Sequence, residues 1–348
     1  MKVRWVSLGV ALSTMLTLAV GAGSSAASAR HSSGHSLAKV SVALDFVPNA
    51  DNEGVFVAEK LGYFTKEGLK VSVIPYGQTP PTTLVAVDKA NFAISATQAL
   101  SLFDFAAGDQ VKAVFAVLQK TPTYYGYLAS NKTIKAPKDL CTKTYGGFGY
   151  PSEGPVIQEM IYKSGGPRHC TLKAVTLNSS SYQAVSSGQV AYSVFFFSDI
   201  IQAQLHTHAK LRWFRPTHYG LPNDYAAIFL GNDAWMASHA KQATEFVQAI
   251  KKAYVYIEKH PVQGARIEAQ LNPNAVYLPA AIKSSKVMAK TFLRAPTGQV
   301  GVMNSKTWNG FTTFLFKNKV LQNSSGQPLT TPLKLSNFWT DKYVDGRS

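Results

Sequence analysis

The sequence predicts an α/β fold of two lobes with a ligand cleft between them, on three observations. Short β-branched runs alternate with amphipathic stretches down most of the chain, the βαβα order of mostly parallel sheets covered by helices. Two extended segments, Tyr125-Gly-Tyr-Leu-Ala129 and Tyr225-Ala-Ala-Ile-Phe-Leu230, bracket the middle series and read as strands joining the lobes. The 348 residues are 46% hydrophobic and 11% aromatic, long and apolar enough for a large two-lobed domain with a packed core.

The elements follow in order. Lys2 and Arg4 precede an apolar run from Trp5 to Val20, and small residues ending in Ala27-Ser28-Ala29 come next. That order is that of a secretory signal over residues 1–29, cleaved near Ala29. Ser7, Ser13, Thr14 and Thr17 interrupt the run, where a membrane span would need about 18 unbroken apolar residues. Residues 30–38 are small and polar and read as a flexible leader; His31 and His35 have no nearby partners for a metal. With no cysteine near the cleavage region for a lipid anchor, the mature chain is expected to be exported, periplasmic or at the cell surface.

Val40–Leu44 is a strand. A helix follows over Glu53–Leu61, with Val55, Ala58 and Leu61 at helical spacing and Gly62 ending it. Strand 71–74, helix 82–89, strand 92–94, helix 98–107 and strand 111–118 complete the first series. A second series runs from Lys132 to Pro222, with Tyr145-Gly-Gly, helix 153–163, strand 172–177, helix 182–187 and strand 192–197. From Ala234 to Ala269 the pattern is helical, with Phe246, Tyr254 and Tyr256 on a packing face. The expected lobes are 39–126 with 228–348, and 127–227.

Charge narrows the function. Lys+Arg number 35 against 19 Asp+Glu, a net +16, and loss of the signal lowers it by two. The lysines are dispersed, no run of five basic residues occurs, and no nucleic-acid fold signature is present, so no nucleic-acid partner is expected. Scarce carboxylates exclude a chemistry of many acidic metal ligands. Cys141 and Cys170 are candidates for a disulfide closing a loop of about 30 residues, or are reduced and buried; two cysteines make no zinc site. His206-Thr-His208 places its rings on different helix faces. No catalytic motif of the G-x-S-x-G, H-E-x-x-H, P-loop or G-x-G-x-x-G type opens a helix. Neither metal nor cofactor is expected.

Polar and aromatic residues collect instead at strand ends, where open α/β sheets bind ligands. Asp45, Phe46, Asn49, Asp51 and Asn52 follow the first strand, with Asn49 or Asp51 equally suited to cap the next helix. Ser95 and Thr97 follow the third strand. Tyr145-Gly-Gly-Phe-Gly-Tyr150-Pro-Ser152-Glu153-Gly lets backbone approach a bound molecule while Tyr150 stacks and Glu153 accepts hydrogen bonds; a plain glycine turn capped by Ser152 is the alternative. Phe195-Phe-Phe197-Ser-Asp199 ends a later strand. Aromatic faces with a few carboxylates suit a flat, amino-bearing heterocycle.

Leu44-Asp-Phe-Val-Pro-Asn49-Ala-Asp-Asn-Glu-Gly54 and Ala58-Glu-Lys-Leu-Gly-Tyr-Phe64-Thr-Lys-Glu-Gly-Leu69 resemble the opening of substrate-binding proteins for a thiamine pyrimidine precursor. The similarity continues through Ala93-Ile-Ser-Ala, Ala136-Pro-Lys-Asp-Leu140, Tyr219-Gly-Leu-Pro222 and Tyr254 to His260-Pro261. The Gly-Tyr-Phe-x-x-Glu-Gly-Leu phrase is shared with the wider superfamily of nitrate, taurine and alkanesulfonate binders. The resemblance implies a type II periplasmic-binding-protein fold, hinge closure on a small heterocycle, delivery to an ABC permease, and no catalysis. It also implies that Asp45, Phe46, Asn49, Ser95, Tyr150, Glu153 and Asp199 face the cleft; Asn52, Thr97, Gln119, Ser152 and Phe196 complete the candidate set, and the chain is expected to be a monomer. Phe46 stands where the family often has tryptophan and Asn52 where it often has histidine, and the Phe-Phe-Phe-Ser stretch replaces one of glycine and tryptophan. Alternative ligands are small anions such as sulfonates, or another heterocycle such as riboflavin. A pyrimidine synthase on the same fold is the enzyme alternative, opposed by the export signal and the two separated cysteines.

Overall fold

A computed structural model describes residues 36–177, 180–206 and 210–346. The expected signal over 1–29, nearly all of the 30–38 leader, and part of the His206-Thr-His208 pair lie outside the described residues.

The chain begins with β1 (Ala38–Ala43), α1 (Glu53–Lys60), α2 (Tyr63–Lys66), β2 (Leu69–Ile74), α3 (Pro81–Ala86), β3 (Phe92–Thr97), α4 (Gln98–Ala107) and β4 (Val111–Leu118). It then builds β5 (Thr123–Leu128), β6 (Thr144–Gly147), α5 (Glu153–Lys163), β7 (Lys173–Thr176), α6 (Ser181–Ser186), β8 (Tyr192–Phe196), α7 (Phe197–His206) and β9 (Leu211–Phe214). It returns through β10 (Ala226–Asn232) to α8 (Asp233–Ser238), α9 (Ala240–Lys259), α10 (Pro261–Leu271), α11 (Leu278–Thr291) and α12 (Ser305–Lys317). Gly62, at φ 69°, is the left-handed residue that lets α1 turn into α2. The third helix stops at Ala86 rather than Lys89, because Asp88 enters the left-handed region at φ 57°.

The strands form two five-stranded sheets, ordered β2-β1-β3-β10-β4 and β7-β6-β8-β5-β9. Each contains one strand running against its neighbours: β10 is antiparallel to β3 and β4, and β5 to β8 and β9. The remaining pairs are parallel. The sheets are thus more mixed than the βα alternation suggests. The chain enters the second sheet directly from the first and later returns, so the first strand after each passage inserts reversed. The segments read as joining strands are these two insertions, each lying wholly in one sheet. The passages themselves are residues 119–122 and residues 215–225, the latter containing a 3-10 turn over Pro216–Tyr219.

Side-chain alternation divides the first sheet between two cores. Val40, Val42, Phe92 and Phe229 pack with Phe246, Ile250 and Tyr254 of α9, while Ala43, Ala93 and Leu230 pack with Leu102, Phe105 and Trp308 of α4 and α12. The Phe92 and Phe246 rings stack at 4.1 Å. Phe246 and Tyr254 are eight residues apart and share the buried face of α9; Tyr256 lies partly outward, against His260 at 4.8 Å. In the second lobe, Tyr125, Tyr145 and Tyr192 pack on Ile157, Met160 and Ile161 of α5. A disulfide joins Cys141 to Cys170 there, with Cα atoms 5.6 Å apart. Phe197 of α7 stacks on Phe292 after α11 at 4.8 Å, carrying one apolar cluster from lobe to lobe beside the passages. No helix among the described residues is long and apolar enough to cross a membrane.

Candidate functional site

The loop after β1 is held by its own amides. Asn49 Oδ1 accepts the Asp51 N–H at 2.8 Å and its Nδ2 donates to the Val47 carbonyl at 2.9 Å. Asn52, completely buried, accepts the Asn49 N–H at 3.1 Å and bonds the Asp45 carboxyl. No side chain caps α1. Both asparagines therefore spend polar groups on shaping the loop, and Phe46 is left exposed beside Asp45. Asp45 is half-buried, with Oδ1 unpartnered. Burial pushes its carboxyl up to about 6, against bonds from its own backbone, Asn52 and Phe46.

Three large rings near this loop stand exposed. Phe46 is 51% exposed and lies against Tyr76, itself 49% exposed, with ring centroids 5.5 Å apart. From the second lobe, Tyr150 is 45% exposed. Burial of its hydroxyl, then Tyr76, Glu153 and Asp45, raise that phenol, so residues of both lobes act on one group. Rings left in water on facing lobes are costly unless something flat covers them. Tyr76 escapes the sequence reading. It is a single tyrosine after β2, and only its place at a strand end marks it.

Glu153 opens α5 and folds back on the loop before it. Oε1 accepts the Phe148 N–H at 3.0 Å and Oε2 the Gly149 N–H at 3.3 Å. Burial raises its carboxyl against those bonds. A Cβ at Gly147 would strike both this carboxylate and the Tyr145 ring, so glycine is required there. Ser152 precedes the helix without capping it. Asp199, in the first turn of α7, accepts the Phe196 N–H at 2.9 Å, and burial raises its carboxyl too. Phe196 itself is half-buried beside it.

Asp51 connects these groups. It is 4% exposed with Oδ1 unpartnered, and burial, then Asp45, then Asp199 hold its carboxyl well above the usual range. No lysine or arginine is among the groups acting on Asp45, Asp51 or Asp199. The interior around this loop is acidic inside a basic protein. The other candidates turn inward. Ser95 donates to the Thr97 carbonyl at 3.3 Å, and Thr97 caps α4 by accepting the Leu100 N–H at 3.3 Å. Gln119 donates to the Ala116 carbonyl at 2.7 Å within the first passage, leaving Oε1 unpartnered. Phe46 thus stands beside Asp45, Tyr150 lies within reach of Asp45 and Glu153, and Asp51 within reach of Asp45 and Asp199, while Asn49, Asn52, Ser95, Thr97 and Gln119 each bond nearby backbone. No three His, Cys, Asp or Glu side chains among the described residues are grouped to hold a metal.

Chemically, such a site suits donors. Carboxyls with free acceptor atoms beside π-faces match a ring bearing N–H groups. The first turns of α5 and α7 each carry an acid of their own, Glu153 and Asp199, which disfavours an anion at either helix start.

Residues 49–264 match the family described as NMT1/THI5 like. The formylaminopyrimidine-binding protein of Halalkalibacterium halodurans is 22% identical, over 80% of this chain and 85% of its own. The 4-amino-5-hydroxymethyl-2-methylpyrimidine phosphate synthase of Uromyces fabae is 24% identical, over 61% of this chain and 65% of its own. Among solved structures, the periplasmic aliphatic sulphonate-binding protein of Escherichia coli superposes with a TM-score of 0.64 at 13% identity, over 85% of this chain and 93% of that one. That likeness establishes the periplasmic-binding-protein fold.

Proposed function

The chain belongs to the NMT1/THI5-like family, and on that premise we propose that it is an exported solute-binding protein of an ABC importer, carrying a thiamine pyrimidine precursor or a related aminopyrimidine. The single observation behind this reading is a buried, unpartnered Asp45 oxygen next in sequence to the exposed Phe46 ring, which lies against exposed Tyr76, with Asp45 and Tyr76 both near enough to exposed Tyr150 to raise its phenol. A flat ring sandwiched by these side chains removes their apolar faces from water, and its amino group donates to the free carboxyl oxygen. Hinge motion at residues 119–122 and 215–225 would close the lobes on it and form a joint surface for a permease. The ligand leaves unchanged; no covalent step is proposed, although a synthase is among the relatives. The same site would disfavour sulfonates, since no lysine or arginine is among the groups acting on its carboxyls to pair with an anion.

Thermal shift with a panel of 4-amino-5-hydroxymethyl-2-methylpyrimidine, other aminopyrimidines, riboflavin and alkanesulfonates tests the reading. At a hundredfold excess over Kd a true ligand adds about 2.7 kcal/mol, readily seen as a higher Tm. A response confined to sulfonates, or a product released on incubation, would overturn it.

A further inference from the structure

A recess lies where the two lobes touch, between α7 of the second and the loop after β1 and α11 of the first. Asn49, Ser198, Gln202, Tyr277 and Ala281 are among its walls, and it encloses about 30 Å³, room for a water molecule. Glu268 of α10 also lines it, completely buried, with neither carboxyl oxygen hydrogen-bonded. Glu53 of α1 is its neighbour. A Cβ at Gly264, one turn before Glu268, would strike the Glu53 carboxyl, so glycine lets that acid lie against α10. Glu53 Oε1 accepts from the Ser285 hydroxyl at 3.1 Å, and its Oε2 is bare.

The surroundings offer this pair no counter-charge. Asp51, from the loop after β1, adds a third acid, and Asp199 of α7 acts on Asp51 in turn. Tyr254 of α9 donates its hydroxyl to the Asp51 carbonyl at 2.7 Å. Arg266 on α10 and Lys283, Lys286 and Lys290 on α11 are exposed, and no cation is among the groups acting on Glu53 or Glu268. His206 of α7 is exposed too, with its ring 4.3 Å from that of Tyr277. Burial, then Asp51, lifts the Glu268 carboxyl to about 8, and burial, then Glu268, holds Glu53 well above the usual range. A carboxyl so placed stays neutral, and charging it calls for water. The recess beside Glu268 admits more water if α7 draws away from α11 and the loop, since its walls belong to different lobes.

We propose that Glu268 is a proton-held latch between the lobes: while it is protonated the recess stays shut, and loss of the proton draws in water, parts α7 from α11 and favours the open form. The proposal rests on the lobes hinging as in the solute-binding reading, and adds to it a control by pH. The shut form holds the proton more tightly, so low pH favours closure. An opened, wetted Glu268 returns to the ordinary glutamate range. Between that range and about 8, each pH unit shifts the balance about tenfold toward the open form, with no further shift above it.

Small-angle scattering of the unliganded protein between about pH 5.5 and 9 provides the test. The radius of gyration is expected to rise with pH and to level off above about 8. Glu268→Gln keeps the shape without an ionisable group, and should hold the smaller radius throughout. His206→Gln and Asp224→Asn, which remove an imidazole beside the recess and a buried carboxyl of the second passage, should leave the rise in place. Gln202→Ala, which widens the recess from α7, should move the rise to lower pH and serves if Glu268→Gln fails to fold. A constant radius in the wild type, a rise that survives Glu268→Gln, or one that Gln202→Ala leaves unmoved overturns the latch. Thermal shift with the pyrimidine panel separates the two readings. A pyrimidine response with a constant unliganded radius strikes the latch alone, and a pH-dependent radius without a pyrimidine response strikes the ligand assignment alone.

Discussion

Asn223 holds the two interlobe passages together through Thr121: its Oδ1 accepts the Thr121 N–H at 3.0 Å, while its Nδ2 donates to the Gln119 carbonyl at 3.0 Å. One amide therefore spans both segments that the proposed closure of the lobes would flex. Its neighbour Tyr225 is anchored separately, with its N–H on Gln98 Oε1 at 3.0 Å and its hydroxyl accepting the Asn304 N–H at 2.9 Å. The passages thus run between fixed ends. Asn223→Ala is expected to cost about 1–3 kcal/mol in urea unfolding, since two bonds go and two backbone groups lose partners. Small-angle scattering of the unliganded variant should show a larger radius of gyration; an unchanged stability and radius would remove Asn223 from this role.

Phe46→Ala and Tyr150→Ala should each weaken 4-amino-5-hydroxymethyl-2-methylpyrimidine binding about tenfold, from lost ring contact and lost burial. Both side chains are half exposed, so the unliganded Tm should move by no more than about a degree. A large fall in Tm with unchanged affinity would place these rings in the fold rather than the site.

Gly147→Ala should damage binding through geometry alone. The added methyl displaces the Glu153 carboxylate, and with it the Phe148 and Gly149 amides that set Tyr150. Calorimetry should read a weaker Kd than for Gly154→Ala, a position with open space around its Cβ.

Stability should fall as pH rises. Burial lifts Asp45 to about 6, Asp104 to about 7 and Asp224 to about 8. Each native carboxyl holds a proton that the unfolded chain surrenders near pH 4. The stabilisation is therefore complete below that value and is lost progressively from there until each folded-state value is passed, at about 6, 7 and 8. Tm measured at pH 5.5 should exceed Tm at pH 8.5, and Asp224→Asn should flatten the slope above pH 7. A Tm that climbs with pH would contradict this account.

Reduction of Cys141–Cys170 should lower stability by about 3–4 kcal/mol on the loop-entropy estimate, read as a lower urea midpoint in dithiothreitol.

Much of the fold is written locally. The helices 98–107 and 153–163 and the strand 111–118 run between the residues their periodicity indicates. Strand direction is not: alternation in Tyr125–Ala129 or Tyr225–Leu230 looks the same for a parallel or reversed neighbour, so the inserted strands read as joining strands. At the site, Asp45, Phe46, Tyr150 and Glu153 stand out because acids and rings at strand ends are chemically conspicuous. What Asn49 and Asn52 do with their amides depends on a loop conformation no spacing encodes. Tyr76 and Glu268 are each unremarkable in sequence, one a tyrosine after a strand and the other a glutamate on a helix, and acquire meaning only from distant neighbours.

The inward carboxyls also alter how a guest arrives. Asp45, Asp51, Glu53, Asp199, Asp224 and Glu268 contribute little to the outer face, so the exterior is more cationic than the +16 of the sequence conveys. A positively charged visitor must climb a repulsive potential that a neutral one does not meet. Added salt, which slows most electrostatically steered encounters, should here hasten entry by screening the outer barrier.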